Sequence, residues 1–111
     1  MFLRFEDQLY NYENFQFFNF NDSILTLIFN GNVVAQIQQS ENEFNHFIEV
    51  ISSSKTTRII IINNVGVNIK NLSCARAEED SVRLYFVDGS SRLIKEITLT
   101  EFETKISENE F

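Results

Sequence analysis

Hydrophobic and polar residues follow the same order twice along this chain. In residues 21–44, NDSILTLIFNGNVVAQIQQSENEF, two runs rich in β-branched and aromatic residues flank Asn30-Gly31, and a polar segment follows. Residues 79–102, EDSVRLYFVDGSSRLIKEITLTEF, repeat this order around Asp88-Gly89. Asn-Gly and Asp-Gly pairs tolerate the positive φ angles of a tight two-residue turn, so each stretch predicts a β-hairpin.

A helix-start signature follows each hairpin. Ser40 precedes Glu43 by three positions, and Thr98 precedes Glu101 by the same spacing, which is that of a capping box. Apolar residues after Ser40 recur at i, i+3, i+4 and i+7 and so predict an amphipathic helix of about three turns. The second stripe is shorter and ends in a polar tail.

The spacing of the two turns indicates an internal repeat. Gly31 and Gly89 lie 58 positions apart, and six residues between positions 22 and 48 are identical at that offset. We predict an α+β fold with one antiparallel sheet built from two ββββα-like repeats, related by a pseudo-twofold axis, and two helices packed on the sheet. Each half is too small to bury its own sheet and helix, so the halves would cover one another. Coincidence between two capped hairpins is the alternative.

These boundaries predict a single domain over residues 1–111. Its repeat halves are roughly 1–54 and 55–108, and the acidic tail, 107–111, is expected to fray. A hydrophobic fraction of 43%, including 12 Phe, supplies ample material for one core.

The balance of charged residues restricts the partners. The net charge of −7, from 16 acidic and 9 basic residues, argues against direct binding to a nucleic-acid backbone. No apolar run reaches the roughly 18 residues of a membrane span, and the start, MFLRFEDQLY, turns acidic too soon for a secretory signal. We therefore expect a cytoplasmic protein without membrane contact, in a bacterial host cell if it is phage-encoded.

One hairpin face is unusually apolar. In the register of a two-residue turn, the first hairpin is apolar on both faces, whereas the second is amphipathic. The additional apolar face is covered either within the chain or by another molecule, and we interpret it as a partner-binding surface. Its residues are Leu25, Leu27, Phe29 and Val34.

Two groups of polar residues are further candidate sites. Arg83, Tyr85 and Arg92 form a candidate anion site, since the two-residue register makes Tyr85 and Arg92 cross-strand neighbours. A cation–π pair without any ligand is the alternative. The predicted acidic patch comprises Glu78, Glu79, Asp80, Glu101 and Glu103. Its run Glu78-Glu79-Asp80 chelates a divalent cation, mimics phosphates or is a solvated turn, and the last is favoured because no calcium-loop spacing accompanies it.

The aromatic stretch NYENFQFFNFN, residues 11–21, has the composition of a base-stacking surface but contains no Lys or Arg, which favours a core strand. The sequence holds one His and one Cys, and it has neither a glycine-rich phosphate loop nor a Ser/His/Asp set. We therefore predict no catalytic residues, no metal site and no cofactor.

These observations favour a small, acidic, non-enzymatic binding protein. The leading hypothesis is an inhibitor or immunity/anti-defence protein, phage-encoded, that occludes a basic, nucleic-acid-binding type of site on a larger partner protein. One alternative is a structural or assembly protein that forms a homo-oligomer, such as a homodimer, through the apolar hairpin face. The other is a small nucleotide or anion binder that uses the Arg/Tyr cluster.

Overall fold

The computed structural model describes residues 2–5, 7–31, 33–52 and 58–108. Over these residues the fold is α+β, with antiparallel sheets and two helices, as predicted. The strands are β1 (Phe2–Phe5), β2 (Gln8–Asn11), β3 (Phe15–Asn21), β4 (Ile24–Phe29), β5 (Val33–Gln38), β6 (Ile59–Ile62), β7 (Val65–Asn68), β8 (Leu72–Glu78), β9 (Ser81–Phe86) and β10 (Ser91–Lys95). The helices are α1 (Glu41–Ser52) and α2 (Leu99–Glu108), and short 3-10 turns occupy Tyr12–Asn14 and Ile69–Asn71.

The strands form three sheets in the described part of the chain, so the prediction of one sheet is wrong. The largest has the order β5-β4-β3-β7-β6, the second has the order β10-β9-β8, and β1 pairs only with β2. Strand β7 lies beside β3, with Gly66 directly opposite Phe18. The five-stranded sheet therefore combines strands that are distant in sequence, a pairing that local periodicity does not encode.

Both hairpins differ by one residue from the two-residue turns that the sequence predicts. Leu27 lies opposite Ala35, and Tyr85 lies opposite Ser91. A two-residue turn would instead have paired Leu27 with Val34. Gly89 adopts φ +89, and its amide donates to the carbonyl of Phe86 at 3.0 Å, as in a three-residue loop that ends with glycine in the left-handed region. One additional residue moves every side chain of the second strand to the opposite face.

Two hydrophobic cores lie on either side of the five-stranded sheet. Helix α1 covers one face with Phe44, Phe47 and Ile51, which pack against strands β3, β4 and β5. The other face packs on the three-stranded sheet, and Phe102 of α2 contributes to this second core. The five-stranded sheet is thus enclosed between a helix layer and a second sheet.

The aromatic stretch at residues 11–21 contributes a core strand. Phe15 and Phe18 are fully buried, and Phe18 packs edge-on against Phe44 and Phe47 at ring-centroid distances of 5.9 and 5.4 Å. A bulge separates Phe15 from Phe17, and the side-chain amide of Asn71 donates to the carbonyl of Phe15 at 2.6 Å. The buried carbonyl of Phe15 therefore has a hydrogen-bond donor although the bulge interrupts the strand ladder there.

Both capping boxes form as the spacing predicts. The amide of Glu43 donates to Ser40 Oγ at 3.2 Å, and the amide of Glu101 donates to Thr98 Oγ1 at 3.1 Å. Helix α2 continues through Glu108, so the first two residues of the tail that was expected to fray are helical, while residues 109–111 lie outside the described residues. Among the described residues, no helix is long and apolar enough to cross a membrane.

Candidate functional site

The three-stranded sheet buries one face and leaves the other in solvent. Val82 and Leu84 are buried in the second core, so Arg83 and Tyr85, which alternate with them, lie on the opposite side. Residues directly across a ladder share a face, and Arg76 lies across from Arg83. We call this solvent-facing side the outer face; its charged and aromatic residues are Arg76, Glu78, Arg83, Tyr85 and Lys95.

The side chains on the outer face contact one another. Glu78 Oε2 accepts a hydrogen bond from Arg83 Nε at 2.7 Å and lies 3.6 Å from a terminal nitrogen of Arg76. The Arg76 guanidinium also lies 5.8 Å from the centroid of the Tyr85 ring, a cation–π geometry. The hydrogen bond from Arg83 lowers the pKa of Glu78 below its ordinary value, so this carboxylate is ionised at neutral pH.

Basic residues are concentrated in one part of the chain. Residues 58–95 contain six of the nine Lys and Arg and four acidic residues, a net charge of +2, whereas the remaining residues carry −9. The side chain of Arg76 is 67% exposed and that of Arg83 is 32% exposed. The outer face thus presents guanidinium groups to solvent within a chain that is acidic as a whole.

The structure separates the three residues of the predicted anion site. Arg83 and Tyr85 lie on the outer face, but Arg92 lies opposite Leu84 and therefore on the other side of the sheet. The shifted register of the second hairpin is the cause. Arg76 occupies the place beside Tyr85 that Arg92 was expected to take. Alternation along β8 is the sequence signal that identifies Arg76, once β8 is paired with β9.

The predicted acidic residues belong to separate elements. Glu78 is engaged by two arginines, whereas Glu79 and Asp80 form the β8–β9 turn, where Asp80 has φ +54. Glu101 accepts a hydrogen bond from the amide of Thr98, and Glu103 is exposed on α2. Two of the five carboxylates, Glu78 and Glu101, therefore accept hydrogen bonds from other residues of the fold.

The four residues of the predicted partner-binding face do not share a surface. Leu25 and Leu27 are 0% exposed and Phe29 is 3% exposed, because they belong to the core that α1 covers and Tyr10 stacks on Phe29. Val34 is 50% exposed and lies opposite Ile28, on the other side of the same sheet. The apolar face was expected to be covered either within the chain or by another molecule, and for Leu25, Leu27 and Phe29 the cover lies within the chain.

The loops of the two hairpins contact each other. Asp88 Oδ2 accepts a hydrogen bond from the amide of Gly31 at 3.0 Å, and Asp88 Oδ1 accepts from the hydroxyl of Ser90 at 2.6 Å. The buried side chain of Gln16 extends this network by donating to Asn30 Oδ1 at 2.7 Å. The hydrogen bonds from Ser90 lower the pKa of Asp88 well below its usual range.

Comparison with solved structures identifies the class of fold. A LytTr DNA-binding domain from a Bacillus cereus response regulator superposes on this chain with a TM-score of 0.63. The match covers 96% of this chain and 94% of that domain, at 12% sequence identity. No protein family and no curated protein matches the sequence. The chain therefore has the fold of a LytTr DNA-binding domain.

This likeness and the burial of the first hairpin together contradict three predictions drawn from the sequence. They are the acidic, phage-encoded inhibitor or anti-defence protein, the homodimer formed through an apolar face, and the absence of direct nucleic-acid backbone binding. The matching domain is a DNA-binding one, and three of the four hairpin residues that were to mediate assembly are buried, with Val34 on the other side of the sheet. The net charge of −7 is unevenly distributed over the surface, because the charged residues of the outer face are three basic ones, Arg76, Arg83 and Lys95, and one carboxylate, Glu78.

Proposed function

We propose that this chain is a DNA-binding domain and that the outer face of its three-stranded sheet contacts the phosphate backbone. The fold likeness to a LytTr DNA-binding domain over 96% of the chain carries this proposal. The second support is the exposed Arg76 guanidinium beside Arg83, on the sheet face that is not used for core packing. Arginine is well suited to phosphate because its planar fork can donate two parallel hydrogen bonds.

The overall acidity determines how this binding depends on salt. Charges separated by more than about 8–10 Å are largely screened at physiological ionic strength, so a phosphate at the outer face responds mainly to the nearest side chains. The net charge of −9 on the residues outside 58–95 still opposes the approach of DNA at low salt. We therefore expect weak binding to arbitrary sequences, and tighter binding only where base contacts add to the phosphate contacts.

Glu78 is the residue that limits phosphate contact at this surface. Its carboxylate accepts from Arg83 and lies near Arg76, so it occupies positions that a phosphate oxygen would take. Because its pKa is lowered, it keeps its charge at neutral pH. Removing this charge frees two guanidinium groups for the duplex.

Fluorescence anisotropy with labelled duplexes of random sequence, titrated over a range of salt concentrations, tests the proposal. Arg76→Gln should weaken binding several-fold and reduce the slope of log affinity against log salt by about 1. Glu78→Gln should strengthen binding. Lys105→Gln is the matched control, because this lysine lies on α2 near Glu108 and away from the outer face, and it should change little.

Two results would contradict the proposal. One is the absence of binding to any duplex at low salt by a protein that circular dichroism shows to be folded. The other is an equal loss of affinity in the Arg76 and Lys105 variants, because only a general charge effect would treat the two positions alike.

We also propose that the chain is one domain made of two copies of a single unit, related by a pseudo-twofold axis. The order of two strands, a 3-10 turn, three strands and a helix occurs over residues 2–52 and again over 59–108, so each unit has five strands rather than the expected four. Residues of both segments mix in the cores: Ile59 and Ile61 pack against the first, and Phe17 and Ile28 belong to the second. This exchange supports a single cooperative domain.

A further inference from the structure

A cleft opens between the five-stranded sheet and the edge strand β10. Its volume is about 400 Å³, and Phe17 and Ile94 contribute to its apolar wall. Four polar residues line it as well: Asn19, Asn63, Arg92 and Lys95. In a chain with 16 acidic and 9 basic residues, both charged residues of this lining are basic, and none of the described residues that line it is a carboxylate.

Arg92 is the distinctive residue of this cleft. Its side chain lies on the inward side of β10, across from Leu84, and is half-buried. Its Nε is buried and has no hydrogen-bond partner in the described part of the chain. A buried donor of a charged group is costly when unpaired, so native structures usually provide it with an acceptor.

We propose that this cleft binds a phosphate group. The guanidinium of Arg92 would donate to two phosphate oxygens, as its planar fork allows, and Lys95 would add a second positive charge. Asn19 and Asn63 contribute side-chain amides that can donate to the remaining oxygens. The cleft volume leaves room for whatever carries the phosphate, which is either the DNA backbone or a small phosphorylated molecule.

The main residue of this site differs from that of the proposed DNA contact, because Arg92 and Arg76 lie on opposite sides of the three-stranded sheet; the inference rests on the proposed function only where the phosphate belongs to DNA. Lys95 is the residue that connects the two surfaces: it lines the cleft and ends an edge strand. A backbone phosphate in the cleft would therefore extend the contact made by the outer face. A small ligand would instead bind beside that contact.

Inorganic phosphate is the probe for the first experiment, with backbone amide NMR signals as the readout. Phosphate should shift the signals of β10 and of residues near Asn63, and chloride at equal ionic strength should not. Arg92→Gln should weaken the binding by at least about tenfold, as expected for the loss of a charge-assisted pair. Lys95→Gln should weaken it less, and Lys105→Gln on α2 should leave it unchanged.

A competition experiment distinguishes the two sources of the phosphate. If saturating duplex prevents inorganic phosphate from binding, the cleft holds a backbone phosphate; if phosphate still binds, the cleft serves a small ligand. The proposal is overturned if chloride produces the same shifts, or if folded Arg92→Gln and Lys95→Gln variants bind phosphate as the wild type does. A loss of duplex binding in Arg76→Gln alone bears only on the proposed function.

Discussion

The two larger sheets of this protein differ in how many of their faces are covered. The five-stranded sheet has α1 on one side and the three-stranded sheet on the other, so its central strands are apolar in both directions. Strand β4 shows this directly, because Leu27 and Ile28 point to opposite faces and both are buried. Strand β9 instead alternates buried Leu84 with solvent-facing Arg83. The fully covered sheet is scaffold, and the half-covered sheet has a face available for a charged partner.

The same contrast explains why the total charge is a poor guide to the charge of a single face. Twelve of the sixteen acidic residues fall outside residues 72–95, which build the three-stranded sheet and carry four basic and four acidic residues. Screening restricts the field that a bound phosphate experiences to nearby groups. A chain can therefore be acidic overall and still present a cationic face.

The largest expected effect comes from a charge placed on the buried side of the five-stranded sheet, compared with the same charge at an exposed position on its other side. Leu27→Asp would place a carboxylate under α1 at a site that is 0% exposed, and an unpaired buried charge costs more than about 4 kcal/mol. That is most of the stability of a small domain, so we expect little folded protein by circular dichroism. Val34→Asp is the matched control, because Val34 is 50% exposed on the neighbouring strand, and it should fold.

An assembly role for the apolar hairpin face makes a different prediction for the same variant. In that case Leu27→Asp would remain folded and light scattering would record a smaller particle than for the wild type. A folded Leu27→Asp variant, or a smaller particle by light scattering, would show that α1 is not what buries Leu27.

A smaller effect tests the junction between β3 and β7. A Cβ at Gly66 would overlap the ring of Phe18, which is fully buried and has little room to move. Overpacking of this kind costs about 1–3 kcal/mol, so Gly66→Ala should lower the urea midpoint clearly. Gly89→Ala provides the comparison, because nothing lies within 4 Å of a Cβ there and only the positive φ is unfavourable, at about 1 kcal/mol. Equal losses in the two variants would show that the β3–β7 contact is looser than the structure indicates.

Local chemistry was sufficient to predict the hairpins and the helix starts. The turn glycines and the spacing from Ser40 to Glu43 determine these features within a few residues, and the structure contains both hairpins and both capping boxes. The register was not predictable in this way, because glycine with positive φ suits two-residue and three-residue loops alike. The position of β7 beside β3 depends on contacts between distant residues.

Errors in the candidate sites follow from that register. Moving β10 by one residue takes Arg92 from the outer face into the cleft. The same shift on β5 separates Val34 from Leu27. Arg76 was missed because β8 is recognised as part of the outer face only when its pairing with β9 is known.

The smallest expected effect concerns the contact between the two hairpin loops. Asp88 accepts hydrogen bonds from Gly31 of the first loop and from Ser90 of its own. Asp88→Asn removes the charge that strengthens these bonds, and because the site is exposed we expect a loss of only about 1 kcal/mol in the free energy of unfolding. Glu103→Gln removes an exposed carboxylate on α2 and should leave the urea midpoint unchanged.

The pH dependence of this loss identifies its cause. The folded-state pKa of Asp88 is depressed by the hydrogen bonds from Ser90, so its contribution is fully present above the unfolded-state pKa of about 3.9. It declines as the pH falls below that value, because folding then opposes protonation of the carboxyl group. The wild type and Asp88→Asn should therefore differ by a constant amount between about pH 6 and 8, and the difference should shrink progressively as the pH falls below about 3.9 toward the lower folded-state pKa. A difference that is as large at low pH as at neutral pH would mean that the amide disturbs the loop by its shape, and that the charge of Asp88 does not hold the hairpins together.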